Sequence, residues 1–192
     1  MNNIKNVLLV GVGGQGTILA SKILSRLAVA GGYDVKMNEI HGMAQRGGSV
    51  VTHVRFGDKV YSPIVDMGEA DVIVAFEELE AMRWLPYLKQ GGTIIVNSQQ
   101  IHPSPVAIGK AEYPGEISSR IATEVDNAVI VNALDMAKDV GSAKVANVVL
   151  LGVLANYLDI PKTLWETVLE DVVPEKFLEL NRKALHSGIN YK

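Results

Sequence analysis

Cysteine is absent from the 192 residues. That excludes disulfides, thiol nucleophiles and any iron–sulfur cluster held by the chain's own thiolates. Histidine is scarce: His41, His53, His102 and His186 are the only four, and no two stand at the spacing of a zinc-binding helix motif. A metal site built by this chain is therefore not expected. Neither sign of charge dominates. The net charge is −3, with no basic stripe for nucleic acid and no charged tail. The apolar run from Val145 to Leu158 has 14 residues, fewer than the roughly 20 that a bilayer-spanning helix needs. The opening MNNIKNVLLV lacks a charged leader with a long apolar stretch and cleavage site. These absences lead to the expectation of a cytoplasmic protein without a membrane segment.

What is present is a globular composition, 48% hydrophobic and 20% charged, in a length suited to one domain over residues 1–192. Ile4 to Val10 reads as a buried strand, and Gly14 to Ala30 as a helix with Leu19, Ile23, Leu27 and Ala30 on one face. Asp34 to Ile40 reads as a second strand, which would complete a right-handed βαβ unit. Ser49 to Phe56 alternates as a third strand, and Gly57-Asp58-Lys59 would turn it into a hairpin with Val60 and Tyr61. Val72 to Phe76 and Thr93 to Asn97 read as strands around a helix from Glu77 to Lys89. Ser98 to Pro105 reads as a loop, Val129 to Asn132 as a late strand, and everything from Ala133 onward as helical. The expected fold is α/β: three layers, with a Rossmann-like mixed, mostly parallel sheet, helices on both faces and a helical C-terminal third. The segment Lys144 to Leu158 is apolar nearly all round, so it is buried in this domain or covered by another chain.

Two glycine-rich loops carry the chemistry. In VGVGGQG, Gly11, Gly13 and Gly16 match G-x-G-x-x-G between a strand and a helix, with Gly14 and Gln15 inside the motif. Such spacing permits a tight turn, backbone approach to a ligand and close helix packing, while amides at the helix start favour a phosphate or carboxylate. A dinucleotide enzyme would also want an acid at the end of the second strand, and Glu39 is placed for it. The bland reading is that these glycines only close a sharp turn. In the second loop, Gln45-Arg46-Gly47-Gly48 sets a permanent cation beside two flexible amides, with His41 four residues before Gln45. An arginine fork grips carboxylates and phosphates bidentately, and adjacent glycine amides form anion nests. The alternative is an Arg46 salt bridge on a surface turn. His53 and Arg55 lie within a strand and read as a polar sheet face.

The stretches GVGGQGTILASKIL, HGMAQRGGSVVTHVRFG, SPIVDMGEADVIVAFE, LKQGGTIIVNS and VANVVLLGVLA, in that order, resemble the gamma-type domain of 2-oxoacid:ferredoxin oxidoreductases. The wording around His41 and Gln45 is most similar to the indolepyruvate branch, in which this type of chain is the small, beta subunit. The resemblance implies oxidative decarboxylation of arylpyruvates to acyl-CoA, with thiamine diphosphate carrying the chemistry and ferredoxin taking the electrons. No acidic G-D-G motif for thiamine diphosphate and magnesium occurs here, and no cysteine for a cluster. Thiamine diphosphate, magnesium and iron–sulfur clusters are therefore expected in a larger catalytic alpha subunit, with coenzyme A as co-substrate. The isolated chain is expected to be inactive and could form a homodimer. Two other readings stay open at this point: a stand-alone NAD(P)-binding oxidoreductase, and a non-catalytic assembly module.

Overall fold

The computed structural model describes residues 4–42 and 47–191. Its centre is β1 (Lys5–Val12), in which Val7, Leu8, Leu9 and Val10 are all fully buried. A strand whose alternate side chains point to opposite faces can be apolar throughout only if both faces are covered. Here they are. Val7 and Leu9 join one apolar core with α1 (Thr17–Ala30), α5 (Ala133–Asp139), α6 (Ala146–Leu154), α7 (Lys162–Val172) and α8 (Glu175–Ile189). Leu8 and Val10 join the other with α2 (Glu78–Trp84) and α4 (Ile117–Glu124). A short α3 (Ser104–Ala107) lies before α4.

The remaining strands are β2 (Asp34–His41), β3 (Ser49–Gly57), β4 (Ala70–Ala75), β5 (Leu88–Asn97) and β6 (Ala128–Val131). They form one six-stranded sheet in the order β2-β3-β1-β4-β5-β6. The pairs β1–β4, β4–β5 and β5–β6 are parallel, whereas β3 runs antiparallel to both neighbours. The expected α/β, three-layer mixed sheet with a helical C-terminal third is thus the observed architecture.

Several local expectations are corrected. The βαβ unit is not a pair of adjacent strands, because β3 inserts between β1 and β2. The hairpin to Val60 and Tyr61 does not form: both edges of β3 are already occupied, by β1 and β2. Instead the chain after Gly57 folds back irregularly over the second face and plugs Val65 into the core there. His53 accepts the Val65 N–H on Nδ1 at 3.1 Å, and Arg55 donates to the Ser62 and Ile64 carbonyls at 3.1 and 2.9 Å. The helix expected over Glu77–Lys89 stops at Trp84, since Pro86 cannot continue it; a 3-10 turn at Leu85–Tyr87 leads directly into β5.

The apolar run after Lys144 is resolved in favour of this chain's own core. Val148, Val149, Leu150, Leu151, Val153 and Leu154 are at most 1% exposed, each such burial being worth about 1.5–3 kcal/mol. Helix α6 lies backbone to backbone against α8. A Cβ added to Gly152 would come within 2.2 Å of the Leu185 carbonyl oxygen, and one on Gly188 within 2.0 Å of that of Val149. Only paired glycines allow this approach.

Candidate ligand-binding cleft

In this sheet β1 connects through α1 toward β2 on one side, while its parallel neighbour β4 leads on to β5 and β6 on the other. The chain therefore reverses its direction of travel between β1 and β4. The carboxyl ends of strands at such a switch point are where open α/β sheets leave a crevice. A cleft of about 300 Å³ lies there, and its lining includes Gly13, Gly14, Gly47, Asn97, Lys144 and Asn147.

The first glycine loop forms one wall, and each glycine has a specific reason. Gly11 is the last close contact between β1 and the end of β4: a Cβ there would lie 2.9 Å from the Phe76 Cβ. Gly16 caps α1 with φ of 78°, and a Cβ on it would strike Asn147 Nδ2 at 2.5 Å. The close packing it permits is thus against α6 and not, as the motif suggests, against the sheet. Gly14, exposed with φ of 101°, has open space around it. Among the described residues no side chain caps α1, so the N–H groups of its first turn have no side-chain acceptor there. Gln15 does not leave its amide free for a ligand. Its Oε1 accepts the Val12 N–H at 2.9 Å, and its Nε2 donates to the Phe76 carbonyl at 2.7 Å, which staples the loop to the end of β4.

The second loop meets the first. Gly13 donates its N–H to the Gly48 carbonyl at 2.9 Å, and Gly47, with φ of 69°, lines the cleft. At the loop's base Gly42 donates to the Ser49 carbonyl at 2.7 Å. Gln45 and Arg46 lie outside the described residues. His41 is not brought to the cleft. It sits exposed at the end of β2, two strands from β1, with Nε2 2.5 Å from Glu39 Oε1. Glu39 also accepts from Thr52 Oγ1 at 3.0 Å. With β3 intervening, Glu39 stands two strand spacings, about 10 Å, from β1, whereas a ribose-binding acid would stand on the strand next to it. That placement removes the arrangement the dinucleotide reading needs.

The structure adds residues that the motifs do not announce. Asn97, 2% exposed at the end of β5, donates to the Phe76 carbonyl at 3.0 Å and accepts the Ala133 N–H at 3.1 Å, so it joins β4, β5 and α5. Asn147 braces the first loop by donating to the Gly16 carbonyl at 3.2 Å. Lys144 is exposed at the cleft and has no ion-pair partner among the described residues. Below the cleft, three buried glutamates follow β4. Glu77 accepts the Glu80 N–H at 2.5 Å and the Tyr113 hydroxyl at 3.1 Å. Burial pushes the Glu77 carboxyl above its ordinary range. Glu78 accepts from Gln100 at 2.7 Å and Ser118 at 2.5 Å. Glu80 accepts from Ser49 Oγ and Arg83 Nη1, each at 2.6 Å. The sequence signal is the run FEELE directly after an apolar strand, which reads only as the start of a helix. What the cleft offers chemically, among the described residues, is anion binding: main-chain amides, an ammonium without an ion-pair partner and no nucleophile among its polar side chains.

Residues 6–191 match the Pyruvate ferredoxin/flavodoxin oxidoreductase family. The chain belongs to this family. The indolepyruvate oxidoreductase subunit IorB of Pyrococcus horikoshii is 41% identical over 190 residues, covering 96% of this chain and 94% of the relative. Its counterpart from Archaeoglobus fulgidus is 40% identical over 189 residues, with 96% and 94% covered. Among solved structures, the gamma subunit of a keto/oxoacid ferredoxin oxidoreductase from Geobacter sulfurreducens superposes with a TM-score of 0.71. It is 28% identical and covers 96% of this chain and 95% of that one. The Pyruvate ferredoxin/flavodoxin oxidoreductase fold is thus carried over essentially the whole length, with the glycine loops at its switch point.

Proposed function

We propose that this chain, as one domain, is the small subunit of an indolepyruvate:ferredoxin oxidoreductase and lends an anion-binding cleft to a larger catalytic subunit. The complex would decarboxylate an arylpyruvate oxidatively, release carbon dioxide, deliver the acyl group to coenzyme A and pass the electrons to ferredoxin. The residues of this chain do not fit the redox groups of that reaction. There is no cysteine for a cluster, and the described residues contain no group of three His, Cys, Asp or Glu able to hold a metal. Thiamine diphosphate, magnesium and iron–sulfur clusters are assigned to the partner on those grounds. Among the described residues no helix is long and apolar enough to cross a membrane.

The single observation that carries this reading is the hydrogen bond from Gly13 to Gly48, which brings both glycine loops to one cleft at the switch point. The Gly14 and Gly47 amides, Lys144 and Arg46 then hold a phosphate of coenzyme A or the carboxylate of the oxoacid. Oriented amides and cations suit either group. His41 and Gln45 belong to the same loop; His41 would act only at its outer edge, toward the partner.

The test is reconstitution with the partner subunit carrying Lys144→Ala or Arg46→Ala in this chain. Losing one charge-assisted contact raises KM for coenzyme A or for the oxoacid about tenfold, with assembly intact. Unchanged KM for both substrates in both variants refutes the cleft. Lost assembly with normal kinetics in the remaining complex favours a purely structural module.

A further inference from the structure

We propose that Ser49 and Glu80 are a positioning pair that fixes Gly47 and Gly48 against the cleft; this rests on the cleft reading above. Gly48 accepts from Gly13, and the next residue, Ser49, donates its hydroxyl to Glu80 Oε2 at 2.6 Å. Glu80 is fully buried, yet does not line the cleft. Its second oxygen accepts from Arg83 at 2.6 Å. Its own N–H is held by the Glu77 carboxylate at 2.5 Å. The carboxylate is therefore locked on both oxygens and at its backbone.

A buried carboxylate is a poor way to stabilise the core, since an apolar side chain of similar volume does this as well or better. What the carboxylate supplies is direction. It presents a fixed acceptor to the residue at which the loop rejoins the sheet. The first loop is tied to the same short stretch, because Gln15 Nε2 donates to the Phe76 carbonyl at 2.7 Å. Residues 76 to 80 thus anchor both walls, one through Gln15 and the other through Ser49. The spacing of the Gly14 and Gly47 amides is set by this common anchor. Glu80 touches no ligand and acts only through Ser49.

Ser49 is the informative site for substitution, because it is only partly buried and its loss leaves the Glu80–Arg83 pair standing. The experiment measures the reconstituted complex with Ser49→Ala, with Ser49→Thr and with Lys144→Ala as reference. In Ser49→Ala, KM rises about fivefold for whichever of coenzyme A and the oxoacid Lys144→Ala weakens. Saturated kcat and co-purification stay unchanged, while the melting temperature falls because a buried carboxylate oxygen loses its donor. Ser49→Thr keeps the hydroxyl and restores KM. An unchanged KM in Ser49→Ala beside a raised KM in Lys144→Ala overturns the positioning pair and leaves the cleft standing. Unchanged KM in both variants removes the cleft and the pair together. Lost assembly in Ser49→Ala also overturns it, as the sign of a merely structural bond.

Discussion

Gly152 and Gly188 show how little freedom a single methyl group has here. Each faces backbone carbonyls and not movable side chains, at 2.2 and 2.0 Å from the position a Cβ would take. Neither helix can relax without shifting along its whole length. Gly152→Ala is therefore expected to cost about 3 kcal/mol, read as a lower urea midpoint with the m-value unchanged. An unaltered midpoint would mean that α6 and α8 stand further apart than described. Gly16 is constrained by a side chain instead, the Asn147 amide, which has somewhere to go. Its left-handed φ of 78° is the stronger reason against a substitution there.

At the scale of elements, the irregular segment after β3 is held by side chains and not by a ladder. His53 is the anchor, accepting the Val65 N–H on Nδ1. Burial holds its pKa below the ordinary 6.5. In the unfolded chain it protonates near that value, so the unfolded state takes up the proton first. Its contribution to stability is therefore complete above about pH 6.5 and is lost as pH falls through the folded-state value. A protonated Nδ1 also cannot accept. Between pH 7 and 5 the Val65 amide should exchange faster relative to the core amides of β1, and His53→Gln should flatten that change. Equal pH dependence in the two proteins would exclude the histidine as the cause. Elements such as β1, β3 and α1 were legible because their signals are local: apolar runs, alternation and glycine stops. The early end of α2 had a local signal too, in Pro86, although the expected helix ran past it to Lys89. The insertion of β3 between β1 and β2 was not, since strand order depends on contacts with no mark in either strand alone. Likewise the motif located the first loop, but Gln15 bonds to a carbonyl 61 residues away and Asn147 to one 131 residues back. Glu80 lies in a segment that reads only as helix, and Lys144 opens one that reads as buried, so neither carries a mark of the cleft.

For the molecule as a whole, the distribution of reactive groups matters more than any one contact. The chain has a shaped cleft but neither thiols nor a metal-binding cluster among its described residues. Purified alone, it is expected to reduce no ferredoxin with any arylpyruvate and coenzyme A, while addition of the large subunit brings turnover. Ferredoxin reduction by the lone chain would refute the division of labour proposed above. The Asn147–Gly16 contact has a separate consequence, for biosynthesis. The last strand ends at Val131, so a nascent polypeptide could pair every strand before Asn147 leaves the ribosome. Until that asparagine arrives, the N-terminal loop lacks its brace, and a truncated translation product would present a finished sheet with an unfinished mouth.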